Sequence, residues 1–251
     1  MEKSLLKSQG MGWDPEELPV REVTRIAVAG ICRGAGASFV SGLLARQLAG
    51  QGRLTLAELG KSYFYAATGM EKRFAARPFA FYSRLIETGK GVKSVYNLED
   101  GINWALREPG AAPEKEPSTI FRCFSSLPGD IVIGDCSGLE RELSFAVLAE
   151  SDRAVVVVDP MPSALFEAFD FIEDVRLRLP QAVIVVNKMN PGVHQGELRR
   201  FLGTRDYISL PLLPGQLLYK AEYNCMLPAD MLEVQDVMGQ CLKPLAERII
   251  G

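Results

Sequence analysis

The segment that most constrains the fold is RIAVAGICRGAGASFVSG, which begins at Arg25. Its first residues are apolar and predict a buried strand, whereas the residues from Ala37 onward have helical spacing. The turn between them contains Gly34 and Gly36, and glycine adopts the backbone angles of a tight turn at little cost. A strand, a glycine-rich turn and a helix in this order are typical of loops that bind phosphate through the unpaired N–H groups of the helix start.

This loop lacks the lysine that phosphate-binding loops normally carry directly before a serine or threonine. Ala37 occupies that position, and Ser38 follows it with a hydroxyl that suits magnesium. Because alanine offers no charge to phosphate oxygens, we expect phosphoryl transfer to suffer more than nucleotide affinity. Taken alone, the glycine cluster is also compatible with an ordinary tight turn that binds nothing.

Strand-like and helix-like segments alternate from Arg25 onward. Continuous apolar runs such as AVVVV and AVIVV predict a parallel sheet that is covered by helices on both faces. We therefore predict a doubly wound α/β fold with a mostly parallel sheet of about seven strands. The predicted strands are Ile26–Gly30, Leu54–Leu59, Ile120–Phe124, Ile131–Asp135, Ala154–Asp159, Ala182–Asn187 and Tyr207–Leu210. The predicted helices are Ala37–Ala49, Glu140–Glu150, Ala164–Leu179, Glu197–Leu202, Gln216–Asn224 and Met231–Ile249.

We expect one domain over residues 23–251, preceded by a tail at residues 1–22 that has no sustained period. Residues 61–119 fit the alternation worst. An aromatic stretch there is followed by REPGAAPEKEP, whose proline and charge content is typical of a solvated loop. We interpret residues 61–119 as an insertion-like region that carries partner specificity.

Composition excludes several classes of protein. The net charge of −3 gives no general attraction to nucleic acid or anionic lipid, so we expect no nucleic-acid partner and at most indirect membrane contact. The five cysteines are widely spaced and lack a C-x-x-C pair, which argues against a disulfide framework and a zinc site. No apolar run reaches the roughly 20 residues of a membrane span. We expect a cytoplasmic protein, held at the inner face of the membrane only through a partner.

Four segments together resemble the MinD/ParA group of deviant P-loop ATPases. The unit from Arg25 to Gly60 resembles the group's phosphate loop, first helix and second strand. GDIVIGDCSGL resembles its magnesium-site strand, and ESDRAVVVVDPMPSALFEAF resembles the strand and helix that follow. VIVVNKM and ISLPLLPGQLLYKAEYNCML resemble its base-binding region. The resemblance covers most of the chain, and within the group it is greatest to TadZ-like proteins of pilus-assembly systems, which share a degenerate loop.

The resemblance implies a nucleotide site and a metal site. It places ATP or ADP on the loop, and it places Mg²⁺ beside Ser38 and Asp135. It also implies a homodimer and a protein partner in an envelope-associated assembly. The implied nucleotide contacts are Arg33, Gly34, Ala35, Gly36, Ala37, Ser38, Phe39, Asn187 and Pro214.

The chain departs from the group at positions that matter for catalysis. Cys32 replaces the group's signature lysine, and Ala37 replaces the loop lysine. Glu58 falls near the first acid of the group's D-x-D motif, but Gly60 stands where the second acid would be. We therefore expect a nucleotide-binding protein with weak or no hydrolysis, a pseudo-ATPase that acts as a switch in localisation or assembly, and we assign no catalytic residue.

Three alternatives remain open from the sequence. A dimeric scaffold would keep the same turn without binding a nucleotide, and an active ATPase would take its cation from Arg33, Lys61 or another protein. A dehydrogenase would use the loop glycines and Glu58, but this interpretation leaves Asp135 unexplained.

Asn190 ends the run NKMN without the carboxylate that guanine requires, so we expect adenine.

Overall fold

The computed structural model describes residues 23–87 and 97–250, so the predicted tail at residues 1–22 lies outside the described residues. The strands are β1 Thr24–Gly30, β2 Leu54–Glu58, β3 Leu98–Glu99, β4 Ile102–Ala105, β5 Ile131–Asp135, β6 Arg153–Val158, β7 Val183–Met189 and β8 Ile208–Pro211. The helices are α1 Ala37–Leu48, α2 Phe64–Ala67, α3 Met70–Arg73, α4 Tyr82–Glu87, α5 Pro117–Ser126, α6 Arg141–Ala149, α7 Pro162–Glu167, α8 Phe169–Arg178, α9 Gln195–Leu202, α10 Gly215–Tyr223 and α11 Leu232–Ile250.

The described strands form one eight-stranded sheet in the order β3-β4-β2-β5-β1-β6-β7-β8. β1 pairs in parallel with β5 on one side and with β6 on the other. β3 runs antiparallel to β4. The predicted doubly wound α/β fold is confirmed, with one strand more than the seven expected. Because the chain moves to opposite sides of β1, the crevice at the carboxyl end of β1 is a topological switch point, where such sheets bind ligands.

The sheet is buried on both faces, as its apolar strands predicted. Residues 155–158 of β6 are 0 % exposed, and Ile26, Ala27 and Val28 of β1 are equally buried. A strand with no polar face needs helices above and below, which is why the segments between the strands are helical. This core holds the ends of β1, β5 and β6 in fixed positions.

The predicted strand at Ile120–Phe124 is wrong, because this segment lies inside helix α5. Pro117 occupies the first turn of α5, where the missing N–H of proline is not needed. Ile120, Cys123 and Phe124 are buried at a spacing of three and four residues, which is the period of a helix. The prediction failed because a short apolar run does not distinguish a strand from a helix.

The region expected to be insertion-like, residues 61–119, contributes to the sheet. β4 pairs in parallel with β2, and Trp104 of β4 is 1 % exposed.

The predicted helices are all present with bounds that differ by at most two residues, but Ala164–Leu179 is divided at Ala168 into α7 and α8. Among the described residues, no helix combines the length and the apolar content that crossing a bilayer requires.

We predict that Leu56→Ala lowers the free energy of unfolding by about 2–5 kcal/mol, measured by urea denaturation. Leu56 is 0 % exposed in β2 and lies beside Trp104 and Ile133 in the neighbouring strands, so truncation leaves a cavity between fixed strands. Leu177→Ala in α8 is the control. Leu177 is 71 % exposed, and its truncation should change stability by less than about 0.5 kcal/mol. Equal losses in both variants would contradict the assigned core.

Candidate functional site

The glycine-rich turn lies at the carboxyl end of β1 and leads directly into α1. Gly36 caps α1 with a left-handed φ of 101°, and as a glycine it offers no side chain to accept a hydrogen bond from the first turn. The first turn also contains no acidic residue. The start of α1 therefore presents backbone N–H groups and the positive end of the helix dipole, which together suit an anion.

Asn187, at the end of β7, fixes the shape of this loop. Its Nδ2 donates a hydrogen bond of 2.9 Å to the carbonyl oxygen of Ala35, and the residue is 5 % exposed. A Cβ atom on Gly36 would lie 2.2 Å from Asn187 Nδ2, so no side chain fits at that position. The amide nitrogen of Asn187 is thus engaged with the loop. The predicted contact of Asn187 with a base stays a prediction.

Lys188 brings a cation to the loop that the sequence analysis missed. Its Nζ donates hydrogen bonds of 2.6 Å to the carbonyl oxygen of Gly34 and to Asp159 Oδ2. Lys188 has a left-handed φ of 61°, and β7 loses its regular register with β8 between Val186 and Met189. This irregularity re-aims the side chain toward the loop, as β-bulges do. The run NKMN contains this lysine, but its residues do not predict the left-handed backbone at Lys188.

Ser38 and Asp135 lie on either side of Ser137, close to the start of α1. Ser38 Oγ donates a hydrogen bond of 2.9 Å to Ser137 Oγ, and the Ser137 N–H donates one of 3.0 Å to Asp135 Oδ1. Asp135 is 1 % exposed, and its Oδ2 is buried without a hydrogen-bond partner in the described structure. The two predicted metal-site residues are thus brought together.

A buried carboxylate oxygen without a partner is costly unless a proton or a cation compensates it. Burial raises the pKa of Asp135, and the neighbouring Ser137 and Ser38 side chains lower it in part. Magnesium prefers oxygen ligands and usually keeps several waters beside one or two protein groups. The Asp135 carboxylate and the Ser38 hydroxyl fit such an ion.

Glu58 is buried at the end of β2, opposite Asp135 in the paired strand β5. Its Oε1 accepts hydrogen bonds of 2.6 Å from the N–H groups of Tyr63 and Phe64, and its Oε2 accepts one of 2.9 Å from the Arg107 N–H. Burial raises the pKa of Glu58 to about 7, although these backbone donors oppose the shift. Glu58 therefore joins the start of α2 to the end of β4.

Gly60 lies against the backbone of the loop that follows β5. A Cβ atom at this position would be 2.3 Å from the carbonyl oxygen of Ser137 and 2.7 Å from the N–H nitrogen of Leu139. The Lys61 N–H donates a hydrogen bond of 2.9 Å to the same carbonyl oxygen. An acidic side chain at residue 60 has no room in this backbone arrangement.

A pocket of about 220 Å³ opens beside the loop. Gly34, Gly36, Asn187 and Lys188 form its polar side, and its remaining walls are largely apolar. Such a combination suits a flat ring that is attached to a polar group. The other lining residues are Phe39, Tyr63, Pro211, Leu212, Leu213, Leu218, Glu222 and Pro228.

The remaining predicted contacts lie in different surroundings. Arg33 is exposed in the turn before Gly34, whereas Ala35 and Ala37 are buried, so only their backbone can face a ligand. Pro214 is exposed and caps α10, outside the pocket-lining set. Lys61, the other predicted cation, is also exposed.

No protein-family model matches the chain, and no curated protein matches it. Solved structures do match. The MinC–MinD cell-division complex of Aquifex aeolicus is 14 % identical with a TM-score of 0.67, over 91 % of this chain and 96 % of that chain. A plasmid partition protein from Borrelia burgdorferi bound to AMPPNP is 15 % identical with a TM-score of 0.62, over 91 % and 97 %. MinD of Pyrococcus horikoshii with Mg-ADP is 12 % identical with a TM-score of 0.62, over 91 % and 96 %.

We predict that the free energy of unfolding of the unaltered chain, relative to that of the Glu58→Gln variant, falls by about 3 kcal/mol as the pH rises from 4.5 to above 7. The pKa of Glu58 is raised from 4.5 to about 7 in the folded chain. Its stabilising contribution is therefore complete below pH 4.5 and is lost as the pH rises through 7, whereas glutamine does not titrate. Urea denaturation of both chains at several pH values measures the difference. A pH-independent difference would mean that Glu58 titrates normally.

Proposed function

Because the chain has the fold of the MinD/ParA-type P-loop ATPases, as its sequence predicted, we propose that it binds ATP or ADP with magnesium and hydrolyses ATP slowly or not at all. The phosphates would lie on the N–H groups at the start of α1, and the base would enter the pocket beside Phe39. Nucleotide binding would then act as a switch for localisation or assembly.

The observation that carries this proposal is the Oδ2 of Asp135, which is buried close to Ser38 and to the start of α1 and has no hydrogen-bond partner in the part of the chain that the structure describes. A pure scaffold gains nothing from a buried carboxylate oxygen that lacks a partner. A hydrated magnesium ion would satisfy this oxygen and would neutralise charge on bound phosphates. Structures of this fold with bound AMPPNP and with bound Mg-ADP support the same choice of ligand.

Weak hydrolysis follows from the groups around the loop. Ala37 is 5 % exposed and offers no cation, and Cys32 replaces a second lysine. Gly60 excludes an acid that would activate water, because the Ser137–Leu139 backbone fills the space. Lys188 supplies a charge near the loop, but Gly34 and Asp159 already engage its Nζ. Binding therefore keeps a cation, whereas the groups that stabilise charge during transfer are missing.

The switch would act through a homodimer and a protein partner. Met161 and Phe166 follow the end of β6 and are 58 % and 84 % exposed. Met161 lies on the same edge of the sheet as the loop, since its N–H donates to Asp159, the partner of Lys188, and Phe166 follows in α7. An apolar patch beside the nucleotide site suits an interface that nucleotide controls. We assign the partner to an envelope-associated machine such as a pilus or secretion assembly, with the protein held at the inner membrane face through it.

We predict that Asp135→Asn removes the magnesium-dependent part of ATP affinity and leaves binding without magnesium unchanged. The substitution keeps the shape of the side chain but removes the negative charge that the cation needs. Isothermal titration of the nucleotide-stripped chain with ATP, with and without Mg²⁺, measures both affinities, and phosphate release is followed in the same samples.

Asp170→Asn in α8 is the matched control and should bind as the unaltered chain does, because Asp170 is exposed. Saturable binding with little phosphate release supports the proposal. Brisk release would overturn the pseudo-ATPase assignment, and no binding at millimolar ATP would favour the nucleotide-independent scaffold.

We predict that Lys188→Met weakens ATP binding about tenfold, because a charged hydrogen-bond donor contributes about 1.5–3 kcal/mol. Lys188→Arg should retain most of the affinity. Loss of Lys188 also leaves Asp159, which is 8 % exposed, as an unpaired negative charge beside the loop. A double-mutant cycle with Asp159→Asn separates the lost attraction from this repulsion. If Lys188→Met with Asp159→Asn binds ATP as tightly as Asp159→Asn alone, Lys188 has no role in binding.

A further inference from the structure

A second cavity lies at the carboxyl ends of β2 and β4, apart from the nucleotide pocket. Its volume is about 350 Å³, which falls in the range of small-molecule sites. Leu59 follows β2, Arg107 follows β4, and Ile120 and Cys123 belong to α5. The lining combines apolar side chains with the cation of Arg107 and with two carboxylates, Glu108 and Glu114. This arrangement differs from that of the loop site, where backbone N–H groups face the ligand.

Arg107 is 6 % exposed, which is unusual for a group that stays charged at all physiological pH values. One Nη donates to the carbonyl oxygen of Ala112, but Nε is buried without a hydrogen-bond partner among the described residues. Within residues 23–87 and 97–250, no aspartate or glutamate forms an ion pair with the guanidinium. A buried cation without a counter-ion is strongly unfavourable, so a negative group placed beside the Arg107 guanidinium would be stabilising.

The carboxylates near the cavity are engaged elsewhere. Glu114 lines the cavity, but its Oε1 accepts hydrogen bonds of 2.9 Å from the N–H groups of Lys115 and Glu116. Glu108 also lines it and pairs with Arg84. Glu58 accepts from the backbone N–H of Arg107 and not from its side chain. The charge of the Arg107 guanidinium thus remains available to a ligand.

The tyrosine beside Arg107 is fixed in place. The Tyr82 hydroxyl donates to the backbone carbonyl oxygen of Glu58. Tyr82 and Arg107 line the same cavity, and burial raises the pKa of Tyr82. A guanidinium presents parallel N–H donors that match the oxygens of a carboxylate or a phosphate. The phenol ring, Leu59 and Ile120 would contact a short apolar body attached to such a group.

We propose that this cavity is a second ligand site, which binds a small organic anion, either a carboxylate or a phosphate monoester, through the Arg107 guanidinium. The site stands independently of the proposed nucleotide site and concerns different side chains. Glu58 lines neither cavity but connects their backbones, because its Oε2 accepts from the Arg107 N–H and its Oε1 accepts from the N–H of Tyr63, a residue of the base pocket. Any test must therefore separate signals from the two places.

Nuclear magnetic resonance of the full-length, ¹⁵N-labelled chain makes this separation. Butyrate and inorganic phosphate are titrated separately, and the Nε–H signal of Arg107 is followed with the backbone signals of Leu59, Ala112 and Ile120. We expect saturable shifts of these signals with at least one probe. Arg107→Gln should weaken the apparent affinity at least about tenfold, whereas Arg122→Gln, an exposed arginine of α5, should leave it unchanged.

Three results would overturn the proposal. The first is the absence of a saturable shift with either probe at concentrations up to about 50 mM. A dissociation constant above this concentration would be weaker than the millimolar affinities of small ligands. The second is equal shifts in Arg107→Gln, and the third is shifts confined to the loop amides of residues 34–39. If Arg107→Gln does not fold, Arg107→Lys keeps the charge without the paired donors and should still weaken binding. Unchanged affinity in Arg107→Lys, together with an unshifted Nε–H signal in the unaltered chain, would also reject the site.

Discussion

Parallel pairing of β1 with β5 and β6 is the constraint on which the rest of the structure depends. Because the three strands run in the same direction, their carboxyl ends meet at one edge. The glycine-rich turn, Asp135 and Asp159 therefore lie side by side although more than a hundred residues separate the first from the last. Burial of these strands on both faces fixes the spacing, so the position of every polar group at the edge follows from the core.

The loop itself is shaped by side chains from β7. Asn187 holds the Ala35 carbonyl group, and Lys188 holds the Gly34 carbonyl group. Neither bond resembles a contact to a bound phosphate, yet both orient the peptide units that precede α1. The loop is thus preorganised by the far half of the sheet, and a substitution in β7 can alter the site without touching the loop.

Most of the fold could be predicted because its signals are local. Strings such as AVVVV at β6 are apolar on both faces, and only a covered parallel sheet accommodates them. The segment at Ile120–Phe124 failed because a short apolar run does not distinguish strand from helix, and β4 was missed inside a region that was interpreted as an insertion. In the site, the Ser38 and Asp135 pair was predictable from motif order. The bent end of β7 at Lys188 and the burial of Arg107 arise from tertiary packing, which a single sequence does not display.

Among the three departures at Cys32, Ala37 and Gly60, the one at Gly60 is distinguished by its crowded backbone. At residue 37 the change is confined to one side chain. At residue 60 an acid meets the Ser137–Leu139 backbone, so the loop after β5 must move first. An acidic side chain at residue 60 therefore requires a second, coordinated change in the loop after β5. The packing at Gly60 thus opposes the direct introduction of an acidic side chain at this position.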